Sequence, residues 1–275
     1  MTNHHLCLES LISGGDEEES DKVLKLFRYK ILLVSNPDGY KYSFSNDPRV
    51  RRMQRKNRRI FDNCSDFANP AGDGDGVDLN RNFATGFDKG RPQDHGRFSY
   101  DRLKQCSMTY GGEEPFSEPE TRAIRDAMMS EVPWFSLAVH GSLGSWTYPY
   151  NYKKETGSGI NEDDVEAMIE KMYEKFGTRH YWGSGGTVVY QSGGTFTDWV
   201  FEELGVKRSF IHEVLDTCDK LYHHGMTETE ILEQGICLFQ PDISDVEEKI
   251  APQAWFGFKE LLKLSFLTDC RDSGY

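Results

Sequence analysis

Apolar residues gather in short runs whose period changes along the chain. Tyr29–Ser35, YKILLVS, is a continuous apolar run ending in Asn-Pro-Asp-Gly, which predicts a buried strand entering a tight turn. Trp134–His140 (WFSLAVH) and Ser209–Val214 (SFIHEV) predict two more buried strands. Between them the period lengthens to that of a helix. Ser117–Ser130 begins with an N-cap Ser, has Pro two residues on and Glu at the third position, the pattern of a capping box. Asn161–Phe176 and Ala251–Leu267 predict two further helices. Residues 13–21, SGGDEEESD, read as a loop or a frayed helix start. Residues 46–76 are rich in Arg, Asn, Asp and Gly and poor in apolar residues, as in a long ordered loop that carries function. Strands alternating with helices, with no repeat and no clear linker, predict one α/β domain around a mostly buried sheet.

Composition narrows the function classes. The 275 residues are 37% hydrophobic and 13% aromatic, enough for a sizeable core. A formal net charge of −13 disfavours non-specific binding to nucleic acid or to anionic membranes, since both need a positive face. No run of about 18 apolar residues exists, so no membrane span is expected. No basic stretch followed by an apolar one opens the chain, so no signal peptide is visible. The six cysteines, at 7, 64, 106, 218, 237 and 270, include no C-x-x-C, which removes the zinc-ribbon and thioredoxin readings. Cys64 and Cys106 flank a loop-rich region and can pair, and Asn63-Cys64-Ser65 fits the N-glycosylation pattern. Both are hints of an exported protein, set against the missing signal.

Polar groups stand where apolar strands stop, and ligands of open α/β sheets bind beyond the carboxyl ends of the strands. His140 closes WFSLAVH, and Glu213 lies in SFIHEV between apolar neighbours. A core histidine bonded to backbone and a buried ion pair are the structural alternatives. Strand alternation sends His212 to the opposite face. In GVDLNRNF, 76–83, Asn80 and Arg81 form a donor pair, and an arginine fork matches a carboxylate at two points. A loop-closing arginine is the alternative. Arg49, Arg51, Arg52, Arg55, Lys56, Arg58 and Arg59 make a basic cluster, ordinarily a solvated face, from which one member can point into a site. Tyr190 precedes Gly193-Gly194, either as a mobile flap or as a surface tyrosine before a turn.

Together the segments resemble the zinc metallocarboxypeptidases of the pancreatic A/B type, peptidase family M14. The matching pieces run in order: NPDGY at 36–40, MQRKNR at 53–58, GVDLNRNF at 76–83, YGGEEPFSEPET at 110–121, VHGSLGSWTYPY at 139–150, YQSGGTFTDW at 190–199 and SFIHEV at 209–214. The resemblance covers about residues 28–265. It implies a single α/β/α domain with a mixed, mostly parallel eight-stranded sheet, a Zn2+ cofactor, and removal of the C-terminal residue from peptides or proteins with a free C-terminal carboxylate. By the same resemblance His140 matches the last zinc ligand and Glu213 the general base. Arg55 matches the arginine that polarises the scissile carbonyl. Asn80 and Arg81 match the clamp on the substrate carboxylate, Tyr190 the tyrosine that closes over substrate, and Thr197 the floor of the specificity pocket. The departures are Gln54 before the carbonyl-polarising arginine, Ser142 for a tyrosine, Leu215 for an arginine, and Thr197 itself, which is neither acidic nor large and apolar and so points to neutral C-terminal residues.

The N-terminus departs furthest. The family's first two zinc ligands come from a His-x-x-Glu segment with an Arg between them. Here His5 to Glu9 is one residue longer, and Leu8 stands in the place of the Arg. His5 (or His4) and Glu9 are the candidates to complete a zinc site with His140. Residues 10–29 are too few for the helix and loop expected before the NPDGY strand, so the early strands and first helix are expected to be incomplete. The expected division is a truncated N-terminal segment at 1–27, a catalytic domain at 28–267 and a tail at 268–275. The resemblance further implies a monomer in an extracellular or secretory/vacuolar compartment. A second reading is a catalytically impaired relative that keeps the carboxylate clamp and lacks a complete zinc site.

Overall fold

Continuous apolar runs become strands only when a neighbour takes up their backbone groups on each buried side. Two of the three expected strands meet that condition. In the computed structural model, which describes residues 22, 24–44, 54–61, 64, 75–89, 94–95, 98–99, 105–141, 143–214 and 243–273, Phe135–His140 (β3) lies parallel to Arg208–Glu213 (β6), with Phe135 opposite Arg208 and His140 opposite Glu213. Ser145–Tyr148 (β4) runs antiparallel to β6, and Tyr181–Ser184 (β5) runs parallel to β4. The sheet order is β3-β6-β4-β5, a mixed sheet of four strands. A two-stranded ribbon, Asp94–His95 (β1) with Phe98–Ser99 (β2), stands apart. The described residues thus hold four strands of the eight that the resemblance implies.

Helices cover both faces. Pro119–Ser130 (α2), Glu162–Phe176 (α3) and Ala251–Asp272 (α5) fall where the helical period places them, and α5 runs past Leu267 to Asp272. On one face Trp146, Tyr148 and Phe210 of the sheet pack with Val165, Met168 and Met172 of α3 and Leu261 of α5. Gly257 lets α5 approach closely, because a Cβ there would collide with Trp146 and Met172. On the other face Trp199 and Val200 of the short helix Phe196–Glu202 (α4) pack with Phe83 and Val206, flanked by Ile124 and Met128 of α2. The layers are α/β/α, as expected.

Three local expectations are corrected. Tyr29–Ser35 is not a strand: among the described residues no strand pairs with it, and Ile31, Leu32 and Leu33 are 77%, 63% and 88% exposed. An apolar run without a ladder partner stays extended but unpaired. Asn-Pro-Asp-Gly is not a tight turn either. Asn36 is the N-cap of the helix Pro37–Ser43 (α1), its Oδ1 accepting from Gly39 N at 3.0 Å, with Pro37 in the first turn where its missing N–H costs nothing. The cap of α2 is Glu118 rather than Ser117, since Pro119 starts the helix one residue later. The Ser117 hydroxyl instead donates to Glu118 Oε1 at 2.8 Å and accepts from Asn82 Nδ2. Cys64 and Cys106 form the expected disulfide, and Cys270 is also disulfide-bonded. The 13–21 segment, Asn63, Ser142 and Leu215 lie outside the described residues.

Candidate active site

The register of β3 on β6 sets His140 beside Glu213 at the carboxyl ends of two parallel strands. His140 Nδ1 stands 3.6 Å from Glu213 Oε1, too far for a hydrogen bond. Burial, with Arg55 nearby, pushes His140 down to about 4, so its ring is neutral and free to act as a ligand. Burial pushes Glu213 up to about 7, against the pull of Arg55 and Arg81. His212, one residue away, faces the other side of the sheet and stacks on Trp146, as alternation requires.

Asn80 and Arg81 lie in a single 3₁₀ turn, Leu79–Arg81, capped by Asp78. The turn is held at both ends. Asp78 N donates to Tyr110 O at 2.8 Å. Asn82, fully buried, donates through Nδ2 to Gly111 O, Glu114 O and Ser117 Oγ, and its Oδ1 accepts from Glu118 N and Thr121 Oγ1. The GVDLNRNF and YGGEEPFSE segments are therefore one polar unit. Asn80 Oδ1 accepts from Phe196 N at 2.9 Å, which leaves its Nδ2 without a partner among the described residues. Arg81 donates to Asn80 O at 2.6 Å and to the Tyr190 hydroxyl at 2.8 Å. Tyr190 thus stands against the arginine fork. The glycines that follow it pack closely: a Cβ on Gly193 or Gly194 would collide with the carbonyls of Gly86 or Arg81.

Among the described members of the basic cluster, Arg55 reaches this site; Arg49, Arg51 and Arg52 lie outside the described residues. Asn57 fixes its strand-like segment: Asn57 N donates to Val77 O at 2.9 Å, and Asn57 Oδ1 accepts from Val77 N at 2.8 Å. Lys56 is spent on the carbonyls of Gln105 and Ser107. Arg55 Nε donates to Asp78 Oδ2 at 2.7 Å, and Asp78 holds the guanidinium protonated. Burial raises the Asp78 carboxyl, but Arg55 and Arg81 outweigh it and keep it below the usual carboxylate value. Gln54 turns back to its own chain, Nε2 donating to Lys56 O at 2.8 Å. Thr197 lies buried in α4, its carbonyl accepting from Ser209 Oγ at 3.1 Å and its own hydroxyl without a partner among the described residues. Asp78 and Asn82 belong to the site as well, though neither is a candidate from the sequence alone. The available signal was a carboxylate two residues before the Asn-Arg pair and a second amide just after it.

Zinc asks for about three protein ligands converging near 2 Å. Among the described residues no three His, Cys, Asp or Glu side chains converge. His140 is one of the expected set, and His5 and Glu9 lie outside the described residues. The described residues alone do not make a zinc site.

The family model for zinc carboxypeptidases, peptidase M14, matches residues 4–239, and the chain belongs to that family. Its relatives include carboxypeptidase A5 of Macaca fascicularis, 31% identical over 207 residues, covering 74% of this chain and 42% of the relative. Carboxypeptidase B of Astacus astacus is 29% identical over 219 residues, covering 78% and 65%. The chain thus spans less than two thirds of the length of these relatives. Among solved structures, thrombin-activatable fibrinolysis inhibitor superimposes with a TM-score of 0.65 at 22% identity, over 96% of this chain and 58% of that one. The bovine form of that protein, in complex with tick carboxypeptidase inhibitor, gives 0.60 at 23% identity, over 86% and 68%. These likenesses establish the fold.

Proposed function

We propose that this chain is a metallocarboxypeptidase that removes the C-terminal residue of peptides or proteins, its catalytic unit spanning 28–267. The observation that carries the reading is the arrangement around one strand end: His140 beside Glu213, with the Arg55 and Arg81 guanidiniums acting electrostatically on both. Asn80 Nδ2 and the Arg81 fork hold the substrate carboxylate, which an internal peptide bond cannot offer. Arg55 polarises the scissile carbonyl and stabilises the charge that develops on its oxygen. Glu213 takes a proton from the attacking water and passes it to the leaving amine. Tyr190 leaves Arg81 and closes over the bound residue, and Thr197 sets a preference for neutral side chains. His140 with His5 (or His4) and Glu9 would hold zinc, and a zinc ion bound there would supply Lewis-acid polarisation. The Cys64–Cys106 disulfide supports an extracellular or secretory setting.

A second reading is a metal-free binder of peptide C-termini, motivated by the His5-to-Glu9 spacing, which is one residue longer than the family's His-x-x-Glu. One experiment separates the two. Zinc content and release of C-terminal residues are measured on the folded chain, its Glu213→Gln variant and its Arg81→Ala variant. Carboxypeptidase action predicts about one zinc per chain and a loss of release by about 10²- to 10⁴-fold in Glu213→Gln with binding retained. Binding without zinc or release, lost in Arg81→Ala, establishes the second reading. No release and no binding overturns both.

A further inference from the structure

Both oxygens of Asp78 are committed to the site. Oδ2 accepts from Arg55 Nε at 2.7 Å, and Oδ1 accepts from Asn80 N at 3.1 Å. The carboxylate cannot shift, because its own backbone is pinned: Asp78 N donates to Tyr110 O, and Asp78 O accepts from Arg81 N at 2.9 Å. Its side chain is 4% exposed, that of Arg55 38%. The contact to Arg55 is through Nε alone. A guanidinium has five N–H donors, so this geometry uses one and leaves the four on the two Nη nitrogens, which have no partner among the described residues. The same guanidinium interacts electrostatically with Glu213 and Tyr190. A long arginine side chain ordinarily samples many rotamers, and freezing it costs conformational entropy. A buried carboxylate on a rigid turn lowers that cost before substrate arrives, which is what electrostatic preorganisation requires.

We propose that Asp78 is a positioning residue of this site, holding Arg55 by Nε so that its two Nη groups present to the carbonyl of the terminal peptide bond. It also ties that arginine to the turn that carries Asn80 and Arg81, so the carbonyl-binding and carboxylate-binding groups keep a fixed spacing. The inference rests on the carboxypeptidase reading, and its contrast is an ion pair that merely closes two loops. A loop-closing pair contributes to stability without regard to what the ligand carries. A positioning pair is felt only by ligands that have the carbonyl.

The test uses two ligands, an N-acyl dipeptide and its analogue with the scissile carbonyl reduced to methylene. Calorimetry on the full chain carrying Glu213→Gln, which prevents turnover, gives the affinity ratio. In that parent the carbonyl ligand is expected to bind about 10-fold or more tighter, the range of a hydrogen bond to a charged donor. Asp78→Asn keeps the acceptor for Asn80 N and removes the charge facing Arg55. It is expected to bring the ratio near one and to leave the methylene analogue's affinity unchanged. A ratio equal to the parent's overturns the inference while the carboxypeptidase reading stands. Failure of the parent to bind either ligand overturns that reading, and the inference with it. If a thermal melt finds Asp78→Asn unfolded, Arg55→Lys decides. Its ammonium is captured by Asp78 and cannot serve the carbonyl as well, so the ratio again falls to near one, and a retained ratio overturns the proposal.

Discussion

His212 is a buried polar group with little compensation. Its ring lies 4.0 Å from that of Trp146, nearly parallel at 10°, and neither of its nitrogens has a hydrogen-bond partner among the described residues. His180 stands 6.1 Å away, ring to ring, and meets Gln253 through Nε2. Burial, with His180 adding to it, pushes His212 down to about 3, and burial lowers His180 as well. The sign follows from linkage. The unfolded chain takes up protons near 6.5 while the folded chain refuses them, so the contribution is complete above that pH and is lost as pH falls toward about 3. Each such histidine gives a slope of up to about 1.4 kcal/mol per pH unit. His212→Phe keeps the stack on Trp146 and removes the titration. Its melting midpoint is expected to fall less than the parent's between pH 7.5 and pH 5, by differential scanning calorimetry. An equal fall in the two proteins rules this account out.

At the scale of elements, legibility followed hydrogen-bond range. β3 and β6 could be read because buried parallel strands are continuous apolar runs, and their ends gave His140 and Glu213 directly. Helices α3 and α5 were set by their own periodicity. Tyr29–Ser35 has the same local pattern as β3, and it failed because pairing is a property of the neighbour. The polar unit around Asn57, Asn82 and Glu118 was not legible, since its bonds join residues 20 to 61 positions apart and leave no local period. The Cys64–Cys106 disulfide belongs to this unit: Cys106 adjoins the carbonyls of Gln105 and Ser107 that hold Lys56, next to Arg55. It joins residues 42 apart, and loop-closure entropy for that length is worth roughly 4 kcal/mol. The double variant Cys64→Ser/Cys106→Ser is expected to lose a comparable amount in denaturant titration. A loss below about 1 kcal/mol would mean that the polar unit closes this region without the disulfide.

At the scale of the whole molecule, exposed apolar side chains stand on and near the outer strand of the sheet among the described residues. β3 has no partner on its outer side among the described residues, and Val139 on it is 61% exposed. Met129 and Val132, just before β3, are exposed too, as are Ile31, Leu32 and Leu33. Arg28 and Lys30 pair with Glu131, and Phe27 stacks on Trp134, which keeps the start of the 27–34 segment beside the start of β3. An open edge next to exposed apolar side chains is a template for pairing with another chain, and a net charge of −13 opposes such contact only over about a Debye length, near 10 Å at ordinary salt. Association is therefore expected to grow with salt and with concentration. Ile31→Glu/Leu33→Glu adds charge at side chains that bury little on folding, beside the basic Arg28 and Lys30. Light scattering at high salt is expected to drop for this variant while its melting midpoint stays within a degree or two of the parent's, the range of surface substitutions of about 0.5 kcal/mol. A lowered midpoint would show instead that these side chains support the fold, and unchanged scattering would place the adhesive surface elsewhere on the molecule.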